Sequence, residues 1–234
     1  MSFLKKLFSR KPYEPTEEEI RQLEAARTRV LGMKKQCCKA KLDAELNQRL
    51  SRMDGGFLAA PGESWPEGSD GPMIPLLQIA VSELCMVPEA LAGTKLVTVW
   101  GGMRDMWDGP NNGDGWVLRE YSSLEGLELL SDYRKKPGKP HSVDWKLSDD
   151  FPHFWNLEEE SWTDYVGNKI LEEFEPVGGT KIGGWPDLVQ SALGRPGFVM
   201  QIDSEEALGW NFGDGGVLYF TKDSSGWHLE IQMY

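Results

Sequence analysis

One short pattern occurs twice in this chain, and that repetition constrains the fold more than any other feature. Asp54-Gly55-Gly56-Phe57 is answered by Ile182-Gly183-Gly184-Trp185. Leu76-Leu77-Gln78-Ile79 is answered by Val199-Met200-Gln201-Ile202, and Leu96-Val97-Thr98-Val99-Trp100 by Gly216-Val217-Leu218-Tyr219-Phe220. The separation between partners shrinks slowly along the chain, as loop insertions between paired strands would produce. Two copies of one β unit are expected, each covering an apolar face that the other cannot bury alone. The period is far too long for a solenoid. The glycine pairs read as corners that need φ > 0 or close backbone approach. Gln78 and Gln201 fall inside apolar strands, where a buried amide needs several partners. Each is expected to bond to the backbone of a crossing segment, the alternative being a place in the wall of a pocket.

Around this pattern, short apolar runs alternate with Gly, Pro, Asn and Asp from about Ser51 onward. Met73–Val81, Leu96–Trp100, Trp116–Leu118, Phe198–Ile202, Val217–Thr221 and Trp227–Met233 read as strands. Ser122–Leu130 and Trp162–Phe174 read as helices, and 132–141 as an exposed loop. In Trp227–Met233 the odd positions share one face, so His228 is expected to point outward. Gly113-Asp114-Gly115 and Gly213-Asp214-Gly215 each precede an apolar run, the sequence of a hairpin turn rather than a phosphate loop or metal loop.

The first fifty residues have a different texture. Thr16 can cap a helix with Glu19 at the capping-box position, and acidic residues fill its first turn. Ile20, Leu23, Val30, Leu31, Leu42, Leu46 and Leu50 recur at spacings near three and four, predicting one or two amphipathic helices that end near Ser51. Cys37 and Cys38 fall inside that helical pattern. Met1–Lys11 carries Phe3, Leu4, Leu7 and Phe8 on one face beside four cations, the pattern of a weak interfacial anchor. The expected organisation is therefore a basic helical segment over 1–50 and a duplicated domain over 51–234. Repeat one spans about 51–130 and repeat two about 175–234. The fold class is α+β, β-rich, with two structural repeats and an N-terminal helical segment.

Charge follows the same division. The net charge is −12, and the residues after Arg52 are strongly acidic while those before are basic. An acidic body repels phosphates, so no nucleic-acid partner is expected, whereas a basic protein partner suits it. Three cysteines without regular spacing give no disulfide framework and no zinc site. No apolar run reaches membrane-spanning length. A reducing cytoplasm is the expected location.

Thr180-Lys181-Ile182-Gly183-Gly184-Trp185-Pro186 with Gln190, then Val199-Met200-Gln201-Ile202-Asp203, then Phe212-Gly213-Asp214-Gly215-Gly216-Val217-Leu218-Tyr219-Phe220, resembles the C-terminal signature of the YwqG-like family. Gly55-Gly56-Phe57, Trp65-Pro66 and Pro75-Leu76-Leu77-Gln78-Ile79 resemble its first half more loosely, and 101–157 departs most from its pattern. This bacterial family is a domain of unknown function. The resemblance implies two β-rich repeats and no established reaction. Some relatives are encoded beside polymorphic-toxin genes, which implies an immunity-type binding role.

No recognisable catalytic motif stands in the chain. His141, His153 and His228 make no spaced ligand pair, no nucleophile elbow is present, and Cys85 reads as a core thiol rather than a nucleophile. No catalytic residue, metal or cofactor is expected. Candidate binding residues are Gln78, Gln201, Asp203 and Asp214, together with Trp107 and Trp210, whose Gly/Asp/Asn-rich loops suggest exposure. The expectation is a binding protein engaging a basic, toxin-like partner. The alternative is a small-molecule binder or hydrolase with a carboxylate pair between the repeats, Asp203 and Asp214 being the residues to test.

Overall fold

The computed structural model describes residues 13–43, 49–102, 104–107, 109–130, 140–153, 156–157 and 162–234. The segment proposed as an interfacial anchor, and most of the 132–141 loop, lie outside them. Helix α1 (Glu17–Gly32) starts as its sequence dictates: Thr16 accepts from the Glu19 amide, and Glu19 accepts from the Thr16 amide at 2.9 Å. Its face of Leu23, Ala26 and Val30 packs on Val166 and Ile170 of helix α2 (Asp164–Glu173). A two-pronged Arg27–Glu173 ion pair ties the two helices on their exposed side.

The helical spacing does not continue past Gly32. Residues 35–43 form strand β1 (Lys35–Asp43), which is central in the sheet and carries Cys37 and Cys38 fully buried. The leucine spacing conceals a second pattern: Cys38, Ala40 and Leu42 alternate with Lys39 and Lys41, and these three pack against the main core. A two-residue alternation prevails here because β10 (His141–Asp150) pairs along the whole of β1, and β11 (Lys181–Gly183) pairs with Cys37, Cys38 and Lys39 on its other side.

The remaining strands in chain order are β2 (Arg52–Met53), β3 (Leu58–Ala59), β4 (Glu67–Gly68), β5 (Gly71–Pro72), β6 (Ile74–Ala80), β7 (Leu96–Gly101), β8 (Trp116–Tyr121), β9 (Glu128–Leu129), β10 (His141–Asp150), β11 (Lys181–Gly183), β12 (Phe198–Asp203), β13 (Val217–Asp223) and β14 (Gly226–Gln232). Ser122–Leu130 is thus no helix. Gly126 takes φ 76° in a turn, and β9 pairs with β3 as a separate small ribbon. Another two-stranded ribbon is made of β4 and β5. The other ten strands form one antiparallel sheet in the order β14-β13-β12-β11-β1-β10-β2-β6-β7-β8. From the central β1–β10 pair, each flank runs outward in chain order.

The sheet curls until its two ends meet. Asn111, just before β8, bridges to His228 of β14, and the Leu229 amide donates to Pro110 O at 2.8 Å. Glu120 of β8 reaches across to Lys222 Nζ at 2.9 Å and to Trp227 Nε1 at 3.0 Å. Burial alone would raise the pKa of Glu120. The bonds from Trp227, Lys222 and Thr94 outweigh it and hold the carboxyl below its ordinary range. Inside this nearly closed wall lies one continuous core that includes Leu77, Val99, Trp116, Ile182, Met200, Phe212 and Phe220.

Candidate functional site

On the outer face of β11–β14, the segments flanking β11, residues 175–180 and 184–191, cross the strands, and buried side chains fasten their backbone. Asp150 accepts from the amides of Val177 and Trp185, both at 2.8 Å. Gln201 accepts from Asp187 N and donates to Gly179 O, both at 2.9 Å. Tyr219 Oη donates to Asp187 O, and Gln232 accepts from Val189 N and Gln190 N while donating to Ser191 O. Gly183 and Gly184 adopt φ 76° and 74° at the corner, where a Cβ on Gly184 would lie 2.2 Å from Asp150 Oδ2.

The opposite flank uses the same fastening. Gln78 accepts from Leu58 N at 2.7 Å and donates to Leu50 O at 2.6 Å. Ser51 Oγ receives the Ala80 amide as Thr180 Oγ1 receives that of Asp203. Asp54 and Gly55 hold φ 60° and 80°. Gly55 therefore stands opposite Gly184, one residue removed from the sequence match. Both Gln78 and Gln201 are fully buried, with their amides committed to backbone.

Beneath the second crossing segment is a concentration of ionisable groups. Lys181 is wholly enclosed and donates to Asp150 at 2.8 Å. Burial pushes Asp187 above the ordinary carboxylate range, against the pull of Lys181 and His153. Burial also raises Asp203, and the Asp187 charge adds to the effect. Tyr219 rises chiefly through burial, then through Asp187 and Asp203, while burial lowers His153. The carboxylates that add to the rise of Asp203 are Asp187, then Glu205, and not Asp214. Sequence reading passed over Asp187 because an Asp after Trp-Pro carries no spacing signal. At the positions that the first flank's hydrogen bonds and strand pairing match to Asp187, Asp203 and Tyr219 stand Leu58, Ala80 and Thr98, with no ionisable side chain.

Two other expectations change. His228 is buried rather than outward-facing. Its Nε2 lies 2.9 Å from Ser225 Oγ and 3.2 Å from Asp223 Oδ1, while Nδ1 is buried with no partner among the described residues. A relay would need Asp223 on Nδ1, so these three residues close the β13–β14 turn and do not form a nucleophilic triad. Trp210 is also buried, packing with Phe212. Trp107 is exposed, its ring 3.4 Å from where a Gly213 Cβ would lie. Beside it, Asp214 is exposed in its turn, its backbone carbonyl accepting the Tyr234 amide, and Tyr234 is 81% exposed.

Of the thiols, Cys85 is exposed and not in the core. Burial pushes Cys37 up to about 11 and Cys38 up to about 12, which leaves both as unreactive thiols at neutral pH. Among the described residues, no group of three or more His, Cys, Asp and Glu is placed to hold a metal, and no helix is long and apolar enough to cross a membrane.

Among the described residues, a β-rich fold with a nearly closed ten-stranded sheet and two α-helices is the class these features define. The model of a family described as a domain of unknown function (DUF1963) matches residues 112–225. That stretch runs from the turn before β8 to the turn after β13 and contains Asp150, His153, Lys181, Asp187, Asp203 and Tyr219. No curated protein matches the chain.

Proposed function

We propose that the chain is a cytoplasmic binding protein that engages a basic protein partner, of the immunity type, and does not bind nucleic acid. The exposed Trp107 beside the Asp214 turn carries this reading. An exposed aromatic ring beside the exposed Asp214 carboxylate suits a partner presenting lysine or arginine among apolar groups. The YwqG-like resemblance supports the same reading, as does the acidic body of the chain. The test is binding to the purified product of a neighbouring gene at low and high salt. Trp107→Ala and Asp214→Asn should each weaken binding by about tenfold. Salt-insensitive binding, or binding indifferent to both substitutions, would count against it.

We further propose that the two flanks are copies of one unit, with residues 51–234 as the duplicated domain. Support comes from the matching Gln78 and Gln201 bonds and from bulges at the same place, between Pro75 and Leu77 and between Phe198 and Met200. In a second functional reading, favoured by the raised Asp187–Asp203 pair, that pair handles a small molecule. Asp187→Asn and Asp203→Asn should then each abolish a ligand-induced thermal shift, and unchanged shifts would sink this version.

A further inference from the structure

We propose that the cleft between the start of β1 and the loop before β12 binds an oxyanion group carried on a compact apolar body. The cleft encloses about 530 Å³ and is lined by Lys35, Asn156, Trp185, Leu193, Arg195 and Phe198 among others. That volume suits a small organic ligand and exceeds what a bare ion requires.

Three donors line it. Lys35 Nζ sits over the Trp185 ring, 3.5 Å from its centroid, and has no carboxylate partner among the described residues. Burial lowers the Lys35 pKa against the pull of the Asp150 charge, as expected of an ammonium whose lost hydration outweighs a carboxylate already paired with Lys181. Arg195 has one loose contact, 3.6 Å to Asp223. Asn156 Nδ2 is buried with no partner among the described residues, and a buried donor left unmade favours whatever acceptor can reach it.

Each acidic group around the cleft also has partners other than Lys35 and Arg195. Asp150 is paired with Lys181. Asp223 accepts from Ser225 and lies against His228. Glu230 accepts from Gly194 N and from Gln232 Nε2. Within a chain of net charge −12, this is a local cationic recess. Leu193, Pro186 and Phe198 supply the apolar wall. The Trp185 indole is held by its bond to Met33 O at 2.9 Å, so the ring carrying Lys35 is fixed before any ligand arrives.

The test is titration of the full chain with phenyl phosphate, benzoate, inorganic phosphate and benzyl alcohol. The readouts are calorimetry and the Trp185 indole N–H resonance, assigned by its loss in Trp185→Phe. Saturable binding of phenyl phosphate or benzoate, tighter than inorganic phosphate and absent for benzyl alcohol, is expected. Whichever of the two binds more tightly identifies the oxyanion as phosphate or carboxylate. Lys35→Gln and Arg195→Gln should each weaken it by about tenfold, and Asn156→Leu should weaken it too. No binding by either aromatic anion, equal binding of the neutral alcohol, inorganic phosphate as tight as phenyl phosphate, or affinity unchanged in Lys35→Gln/Arg195→Gln would overturn the proposal. Trp107 and Asp214 take no part, so the outcome is independent of the basic-partner reading.

Discussion

Lys181 is the cation with most to lose from a neighbour's removal. It is fully enclosed and pairs with Asp150, which also fastens two backbone amides. Replacing Lys181 by Met leaves a buried carboxylate unpaired, and urea unfolding should register a loss of about 3–5 kcal/mol. Lys181→Met/Asp150→Asn should lose less than that single change, because the stranded charge goes with the acid. The carboxylates nearby titrate in two directions. Asp187 and Asp203 have folded pKa values above their unfolded ones. Their stabilising contribution is therefore full below about pH 4 and is lost as pH rises through the raised values. Thermal midpoints should show a decline toward neutral pH that Asp187→Asn/Asp203→Asn flattens. Asp223 behaves oppositely: Ser225, then His228, hold its carboxyl below the ordinary range. Its contribution is present above the unfolded pKa and fades as pH falls through the folded one.

At the level of elements, the crossing segments depend on two glutamines. Each satisfies one backbone N–H and one carbonyl that burial would otherwise leave unmade. Gln78→Leu and Gln201→Leu should each cost about 2–4 kcal/mol in chemical denaturation, and the two losses should be similar. A large cost at one position and none at the other would contradict the shared fastening. This role was legible beforehand, because a glutamine inside an apolar strand must find partners. Strands β6, β7, β12, β13 and β14 and helix α2 were legible for the same kind of reason, each being an apolar run with clear stops. Strand β1 was not. Its lysines gave a polar face compatible with either period, and only the neighbouring strands decide between them. Trp210 and His228 misled because a turn-rich or alternating context says which way a residue faces only when one side of the strand is open. Trp210 packs against Phe212 ahead of β13, and residues 227–229 of β14 are buried on both faces. Asp187 and Lys181 were invisible as a cluster, since the loop that joins them is defined by bonds to distant strands.

For the whole molecule, the closing contact between β8 and β14 decides how the sheet behaves. It is made largely by side chains, with Glu120 accepting from Lys222, Trp227 and Thr94. Glu120→Ala should raise amide hydrogen exchange in β8 and β14 above that in β1 and β10, which are paired on both sides. Uniform exchange in the variant would show that the interior packing alone keeps the wall shut. The buried Asp150–Lys181 pair and the raised Asp187 and Asp203 all lie within the stretch that the family model matches. The other flank carries the same fastening without those charges.

That closing contact also governs how one copy of the chain treats another. Two free strand edges would offer rows of unpaired amides and carbonyls, a ready template for stacking chain upon chain. With Glu120, Lys222 and Trp227 drawing the edges together, neither row is presented to solvent as a continuous strip. Loss of the one acidic side chain would convert a self-contained wall into two adhesive margins, and its first visible effect would be turbidity at high protein concentration.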